Sequence, residues 1–470
     1  PDIITGWNVY GYDIPYIINR FKLIFGQDDA GINMLSPVRQ VKIWERNGQL
    51  NVDIAGVEII DYYPVYKKFS PKRPENYKLG TISKLELDAG KVAYEEHSLR
   101  ELEKKDWNKF VEYNAMDTVL PLKLEEKLKY IELIQSLCLM SKCPLKYYEA
   151  VTSLIEGLFL TYYRRNNLCA PFHAGGSHEH FEAAFVKDPI VGMHEWIIAM
   201  DITSSYPTAM VTLNMGNETF YGCIHDMPEE QVIECNRNRE YPDFRLYRQG
   251  KFLNISGEAL KIFNAGLKKG MFAIAPNGAI FMTNKKGAIA EVERMVFAKR
   301  KAAKKAMEAT EDKVDRAKLH ARQWALKILI NSIYGALSVP YYRGFNLHIA
   351  AAITAVGRHT IKMGNVHVNE YLNEYFKTKN VDYVAYVDTD SLYIPVGKYV
   401  SNPDVNKVVE LGYELNNYVN KRAYEETQLI DYCSQEHDFK CKFAFEVVAQ
   451  SGLWAAKKKY GVWVVWKEGK

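Results

Sequence analysis

Nothing in the sequence offers a disulfide or zinc framework: seven cysteines fall at positions 138, 143, 169, 223, 235, 433 and 441, and no two form a Cys-x-x-Cys pair. They read as buried thiols. No apolar run approaches the roughly 18 residues of a membrane span, and the first residues lack the basic-then-apolar order of a secretory signal. A soluble, intracellular protein is expected. Strong net charge is missing too, since 61 Lys and Arg against 57 Asp and Glu leave +4 over 470 residues. With 47% hydrophobic and 25% charged residues the composition is that of an ordinary globular chain, and the length implies roughly two to four compact units. The sequence opens at Pro1, without a methionine and inside an apolar segment, so a piece of something longer is expected.

The small net charge is unevenly spread. Between Lys285 and Lys327 there are thirteen Lys and Arg against six Asp and Glu, an excess larger than that of the whole chain. Such a stripe suits a polyanionic partner, and a solvated helix face gives the same pattern.

Tyr386-Val-Asp-Thr-Asp-Ser391 is the stretch around which the chain is organised. Val381 to Ile394 is dense in Val, Tyr and Ile and reads as two strands joined by a tight turn carrying Asp388 and Asp390. Strand alternation would place both carboxylates on one face, with Thr389 and Ser391 on the other. Carboxylates held that close repel, and hard oxygen ligands suit Mg²⁺ better than Zn²⁺. A solvated hairpin turn uses the same residues. A second carboxylate ends the apolar run Trp196-Ile-Ile-Ala-Met-Asp201, read as a buried strand, before a helix begun by Ser204, Ser205 and Pro207. A carboxylate there costs free energy without a partner, which favours metal binding.

Elsewhere the pattern alternates between strands and helices. Ile3 to Val9 reads as a strand and Ile14 to Arg20 as a helical start, with Asp13 between them able to cap the helix or hold a metal. Asn47-Gly48 between alternating runs predicts a β-hairpin over 41–54. From Leu79 to Leu128 the pattern is helical, and Tyr113 and Asp117 share a face there, for a metal-bound water or phosphate or simply for an interhelical hydrogen bond. His173, His178 and His180 cluster in a Gly-Gly loop, but no fourth zinc ligand stands at standard spacing. Ala288–Thr310 and Asp312–Leu337 predict an antiparallel helical hairpin. Arg300 and Lys304 share one face of it. Lys327, Asn331 and Tyr334 share another, followed by Gly335, and this set of cations, a ring and bare backbone fits a nucleoside triphosphate. Near the end, Lys457-Lys458-Lys459-Tyr460 would grip a nucleic-acid backbone or form a basic surface turn.

Together these motifs resemble the family B DNA polymerases, most closely the replicative polymerases of large tailed bacteriophages. Asp201-Ile-Thr-Ser-Ser-Tyr-Pro is similar to the first palm motif, Lys327-Ile-Leu-Ile-Asn-Ser-Ile-Tyr-Gly to the fingers motif, and Tyr386-Val-Asp-Thr-Asp-Ser to the further palm motif. Lys457-Lys-Lys-Tyr resembles the basic motif that follows, with Lys459 where Arg is more usual, and Glu446 matches an acidic palm position. Gly6-Trp-Asn-Val-Tyr-Gly-Tyr-Asp13 and Tyr113-Asn-Ala-Met-Asp117 are similar to the second and third motifs of the attached 3′→5′ exonuclease.

The resemblance implies an α/β and α+β multidomain chain: a partial ribonuclease H-like exonuclease domain at 1–129, a helical connector at 130–172, a palm with an antiparallel sheet at 173–286 and 340–470, and helical-hairpin fingers at 287–339. It implies template-directed joining of dNTPs to a primer 3′-hydroxyl on primer-template DNA, with two Mg²⁺ ions for which Mn²⁺ may substitute. Asp201 and Asp390 would be the bridging ligands, the Ile202 carbonyl would complete the shell, and Asp388 and Glu446 would be supporting acids. Arg300, Lys304 and Lys327 would bind the triphosphate beside Asn331, Tyr334 and Gly335, and Tyr206 would exclude a ribose 2′-hydroxyl. Lys457, Lys458, Lys459 and Tyr460 would hold DNA, and Asp13, Tyr113 and Asp117 would be an exonuclease remnant. For a phage-encoded protein the compartment would be the cytoplasm of the infected cell.

Three departures shape the expectation. The Asp-x-Glu exonuclease motif is missing, so this chain alone is not expected to proofread; the thumb is missing; and Phe181-Glu-Ala-Ala-Phe185 differs from the family's Tyr-x-Gly-Gly/Ala loop. A second chain supplying the absent parts is a partner these departures suggest, while no sliding-clamp contact is visible. Two other classes stay open: a DNA-binding subunit inactive without a partner chain, and a ribonuclease H-like nuclease, whose carboxylate set is incomplete here.

Overall fold

The computed structural model describes residues 2–26, 29–46, 48–70, 72–88, 90, 98–171, 181–422 and 442–468. The chain divides into two compact units, one of Pro1–Leu154 with Lys299–Ile328, the other of Ile155–Ala298 with Leu329–Lys470.

In the first unit the Ile3–Gly6 strand pairs in parallel with Glu58–Asp61. It is shorter than the run to Val9, because Asn8 enters the left-handed region at φ 66° and Val9 turns into the core. The hairpin forms as the Asn-Gly signal predicts: Val41–Arg46 pairs with Gln49–Ile54, Arg46 stands opposite Gln49, and Gly48 has φ 73°. Asn47 itself lies outside the described residues. Helices Leu79–Leu87, Leu99–Lys105 and Trp107–Leu128 fill the helical stretch, the last capped by Asp106, whose carboxylate accepts from the Lys109 N–H at 3.0 Å. Ile14 and Ile18 of helix Asp13–Phe25 meet Val52, Ile54 and Ile59 in the core.

The second unit is built on two sheets. One runs in the spatial order Lys251–Ile255, Phe244–Arg248, Phe220–His225, Ala279–Met282, Phe272–Ile274. The other runs Tyr386–Asp388, Ser391–Pro395, Gly192–Ile202, Phe443–Ala456, Lys459–Lys467, and its neighbouring strands are antiparallel throughout. Alternation gives this sheet two faces. Ile198, Met200, Ile202, Leu392 and Phe445 face Ile361, Val368 and Leu372 of helix Leu347–Tyr375 and Val408, Leu411 and Leu415 of helix Val405–Asn420. Ile197, Tyr386, Tyr393, Trp454 and Tyr460 occupy the opposite face.

The helices Ala288–Ala309 and Lys313–Leu337 are separated by three residues, with the Asp312 carboxylate accepting from the Asp315 N–H at 2.8 Å. No helix among the described residues is long and apolar enough to cross a membrane. Of the thiols described, Cys138 and Cys235 are buried as expected, whereas Cys143 and Cys223 are half-buried and Cys169 is exposed; Cys433 and Cys441 lie outside the described residues.

Candidate active site

Asp201 stands near the end of the central Gly192–Ile202 strand, opposite Ser391 on one side and Ala444 on the other. The Ser391 hydroxyl donates to its Oδ1 at 2.8 Å. The Ile202 N–H donates to the Asp390 carbonyl at 2.9 Å, so the backbone of the turn is stitched to the strand carrying Asp201. The turn is tighter than strand alternation allows. Asp388 ends one strand, Ser391 begins the next and pairs with it, and Thr389 lies between them at φ 63°. The expected separation of Asp388 and Asp390 from Ser391 therefore fails, because a reversed backbone breaks the alternation and Ser391 reaches the same carboxylate that Asp390 approaches.

Burial is the main cause that lifts the Asp201 carboxyl from 3.8 to about 7; the Asp390 carboxylate adds to the shift, the Ser391 hydroxyl opposes it, and Glu446 raises it further. Asp390 is also raised, chiefly by burial, with Asp388 and Glu446 adding and Lys458 opposing. Both carboxylates thus sit in half-buried surroundings that disfavour their charged forms. Glu446 sits at a register shift between Phe445 and Val447 and lines a cavity of about 120 Å³ with Asp201, Ser391 and Tyr393.

Asp388 is drawn elsewhere. Its Oδ1 accepts from Lys458 Nζ at 2.9 Å, and the Lys458 N–H donates to the Tyr386 hydroxyl at 2.8 Å. Lys458 occupies the turn between the last two strands at φ 60°, Lys457 pairs with Asp188 at 3.0 Å, and the Tyr460 and Tyr393 hydroxyls are 2.9 Å apart. Among the described residues no group of three or more His, Cys, Asp or Glu side chains is arranged to hold a metal ion. What the site does provide is an all-oxygen pair, Asp201 and Asp390, beside the Ile202 backbone, and mutually repelling hard donors suit a hard divalent cation. His173, His178 and His180 lie outside the described residues.

Tyr206 follows Asp201 on the Ser205–Thr212 helix, its ring centroid 4.7 Å from that of Tyr334. Burial pushes its phenol up to about 12, Tyr334 and the Asp390 carboxylate add to this, and Arg358 opposes it. Asn331 and Gly335 are exposed, and a Cβ on Gly335 would meet nothing within 4 Å.

In the first unit, burial holds the Arg300 guanidinium below its ordinary value, Lys304 lies 3.9 Å from Glu308, and the Lys327 ammonium sits 5.0 Å from the centre of the Trp324 ring. Asp13 and Asp117 line one cleft of about 1210 Å³ together with Thr5, Asn8, Tyr63 and Asn114. Asp13 is the first helical residue and does not cap, since Tyr12 holds the cap position without a side-chain bond; burial is the main cause raising its carboxyl. Tyr113 lies on the same Trp107–Leu128 helix as Asp117, one turn earlier.

Arg358, unremarked in the sequence, is buried at 3% exposure. Its guanidinium donates to the Glu182 and Ala183 carbonyls and pairs with Glu229, while the Thr389 N–H donates to the Phe185 carbonyl at 3.1 Å. Segment 181–185 is thereby tied both to helix Leu347–Tyr375 and to the carboxylate turn. Helix Leu347–Tyr375 carries several other charged and polar residues, so the sequence holds no local signal that singles out Arg358.

The model of DNA polymerase family B matches residues 143–468, and that of the family B exonuclease domain matches residues 1–82. The chain belongs to DNA polymerase family B. It is similar to the DNA-directed DNA polymerase of Escherichia phage RB69, 30% identical over 87% of this chain and 48% of the relative, and to that of Enterobacteria phage T4, 28% identical over 98% and 56%. The DNA polymerase delta catalytic subunit of Caenorhabditis elegans is 26% identical over 90% of this chain and 37% of its own length. The chain spans about half the length of the phage relatives.

Proposed function

We propose that this chain carries the nucleotidyl-transfer centre of a template-directed DNA polymerase, joining a dNTP to a primer 3′-hydroxyl on primer-template DNA. The observation that carries this reading is the meeting of Asp201, on the central strand, with Asp390, in the turn that leads into the neighbouring strand, with the Asp201 carboxyl lifted to about 7 by burial and its neighbour. Asp201, Asp390 and the Ile202 carbonyl would hold Mg²⁺, or Mn²⁺ in its place, and the bound cations would lower the pKa of the primer hydroxyl and neutralise the triphosphate. Asp388, held by Lys458, and Glu446, lining the same cavity as Asp201, act as supporting acids. Tyr206 packs under the deoxyribose. Arg300, Lys304 and Lys327 neutralise the phosphates as pyrophosphate leaves, with Asn331, Tyr334 and Gly335 presenting the nucleotide-facing side of the helix. Lys457, Lys458, Lys459 and Tyr460 steady the DNA.

The same reading divides the chain into exonuclease (1–129), connector (130–172), palm (173–286, 340–470) and hairpin fingers (287–339), and takes Asp13, Tyr113 and Asp117 as an exonuclease remnant. By analogy with the phage relatives, it works in the cytoplasm of an infected bacterial cell. Primer extension by the purified chain with Mg²⁺ and dNTPs is the test, run beside Asp390→Asn. Extension by the parent and a loss of at least about a thousandfold in the variant, with unchanged DNA binding, supports the assignment. An Asp390→Asn chain extending at the parent rate sinks it. A parent that binds DNA yet extends only after a second chain is added identifies a subunit instead.

A further inference from the structure

Gly357 lies in the middle of helix Leu347–Tyr375, buried, where glycine weakens a helix relative to alanine. Its backbone lies outside the left-handed region, so conformation does not call for glycine. Space does. A Cβ built there would stand 3.2 Å from Tyr206 Cε1, 3.8 Å from Tyr206 Cδ1 and 3.7 Å from the Ser205 hydroxyl, and these three atoms are its nearest neighbours. The bare backbone of Gly357 is therefore the surface against which the Tyr206 ring rests. Tyr334 confines the ring as well, at 4.7 Å between centroids. The next residue, Arg358, is fixed by the Ala183 carbonyl at 2.9 Å and by Glu229, which holds this turn of the helix in place.

We infer that Gly357 is a positioning residue that sets the depth of the Tyr206 ring, and through it the fit of the nucleotide sugar. This rests on the reading of Tyr206 as the residue beneath the deoxyribose. An added methyl requires the ring to give by a few tenths of an ångström, away from the helix. The sugar pocket then becomes shallower for every nucleotide, while Asp201 on its strand and Asp390 in the adjoining turn keep their places.

The experiment is steady-state dNTP incorporation by the full chain carrying Gly357→Ala, Tyr206→Ala or both. Alanine favours the helix, so the variant is expected to fold, and thermal unfolding of each protein checks this. Gly357→Ala is expected to raise KM for dNTP by about three- to tenfold with kcat within about twofold, and to have no effect on KM once Tyr206 is alanine. An unchanged KM in the single variant overturns the inference. So does an equal rise in the Tyr206→Ala background, which would place the effect in the packing of the helix. If Tyr206→Ala leaves the ratio of ribonucleotide to deoxynucleotide incorporation at the parent value, the reading of Tyr206 itself fails and the inference falls with it, a result distinct from the other two.

Discussion

Lys458 reaches from the last β-turn to Asp388 across 2.9 Å, so that the basic turn and the carboxylate turn are joined by an ion pair. Asp388 in turn holds the ammonium protonated, raising the lysine above its ordinary value. The pair leaves Asp390 as the carboxylate of the turn that faces Asp201.

Lys458→Ala is expected to change activity much more than stability. The lysine side chain is 64% exposed, and such pairs contribute about 1 kcal/mol or less. Loss of the ion pair frees Asp388 and adds an uncompensated negative charge beside Asp390. Primer extension should fall by about tenfold or more, while the unfolding midpoint in urea stays close to the parent. A fall in stability that accounts for the whole loss of activity would refute this.

Tyr206→Ala should raise ribonucleotide incorporation far more than it alters use of dNTPs. A ring beneath the sugar rejects a 2′-hydroxyl by steric overlap, which discriminates more strongly than a lost contact. The ratio of kcat/KM for ATP and dATP measures it, and an equal change for both sugars would assign the ring to the core alone.

Glu293 is fully buried on helix Ala288–Ala309, and neither carboxylate oxygen has a hydrogen-bond partner among the described residues. Burial raises its carboxyl well above the usual range. The neutral form is the one the fold accepts, so its stability contribution is present below the unfolded value of 4.5 and is lost as pH rises through the raised folded value. Glu293→Met should therefore stabilise the protein, by about 1–3 kcal/mol at pH 8 and by less at pH 5. Urea titrations at the two pH values check the sign, and a variant less stable at pH 8 than the parent contradicts it.

Arg358→Ala should be strongly destabilising, by about 3 kcal/mol, because it strips the Glu182 and Ala183 carbonyls and Glu229 of a buried donor. Chemical denaturation measures the loss. A change below about 0.5 kcal/mol would mean the network carries little of the fold.

What the sequence revealed follows from how local each signal is. A buried strand ending in Asp201, an Asn-Gly hairpin and a Val- and Tyr-rich approach to Asp388 are written in neighbouring residues, and the structure forms them there. The pairing of Lys458 with Asp388 spans 70 residues and depends on the register of the last two strands, which composition does not specify. Thr389 at φ 63° upset the two-residue alternation, because a single left-handed residue reverses the chain within the motif. Arg358 and Glu293 look like ordinary surface charges in helical patterns; only packing shows them to be buried.

The serine that steadies Asp201 comes from 190 residues further along the chain. A ribosome must therefore extend the chain past Ser391, into the second stretch of the second unit, before Asp201 can meet Ser391 and Asp390. No shorter nascent chain holds both Asp201 and Asp390, which come together when the strand carrying Asp201 gains Ser391–Pro395 at its side. On the proposed reading, a truncated product that ends before Ser391 lacks half of the carboxylate pair and is expected to be inert rather than partly active.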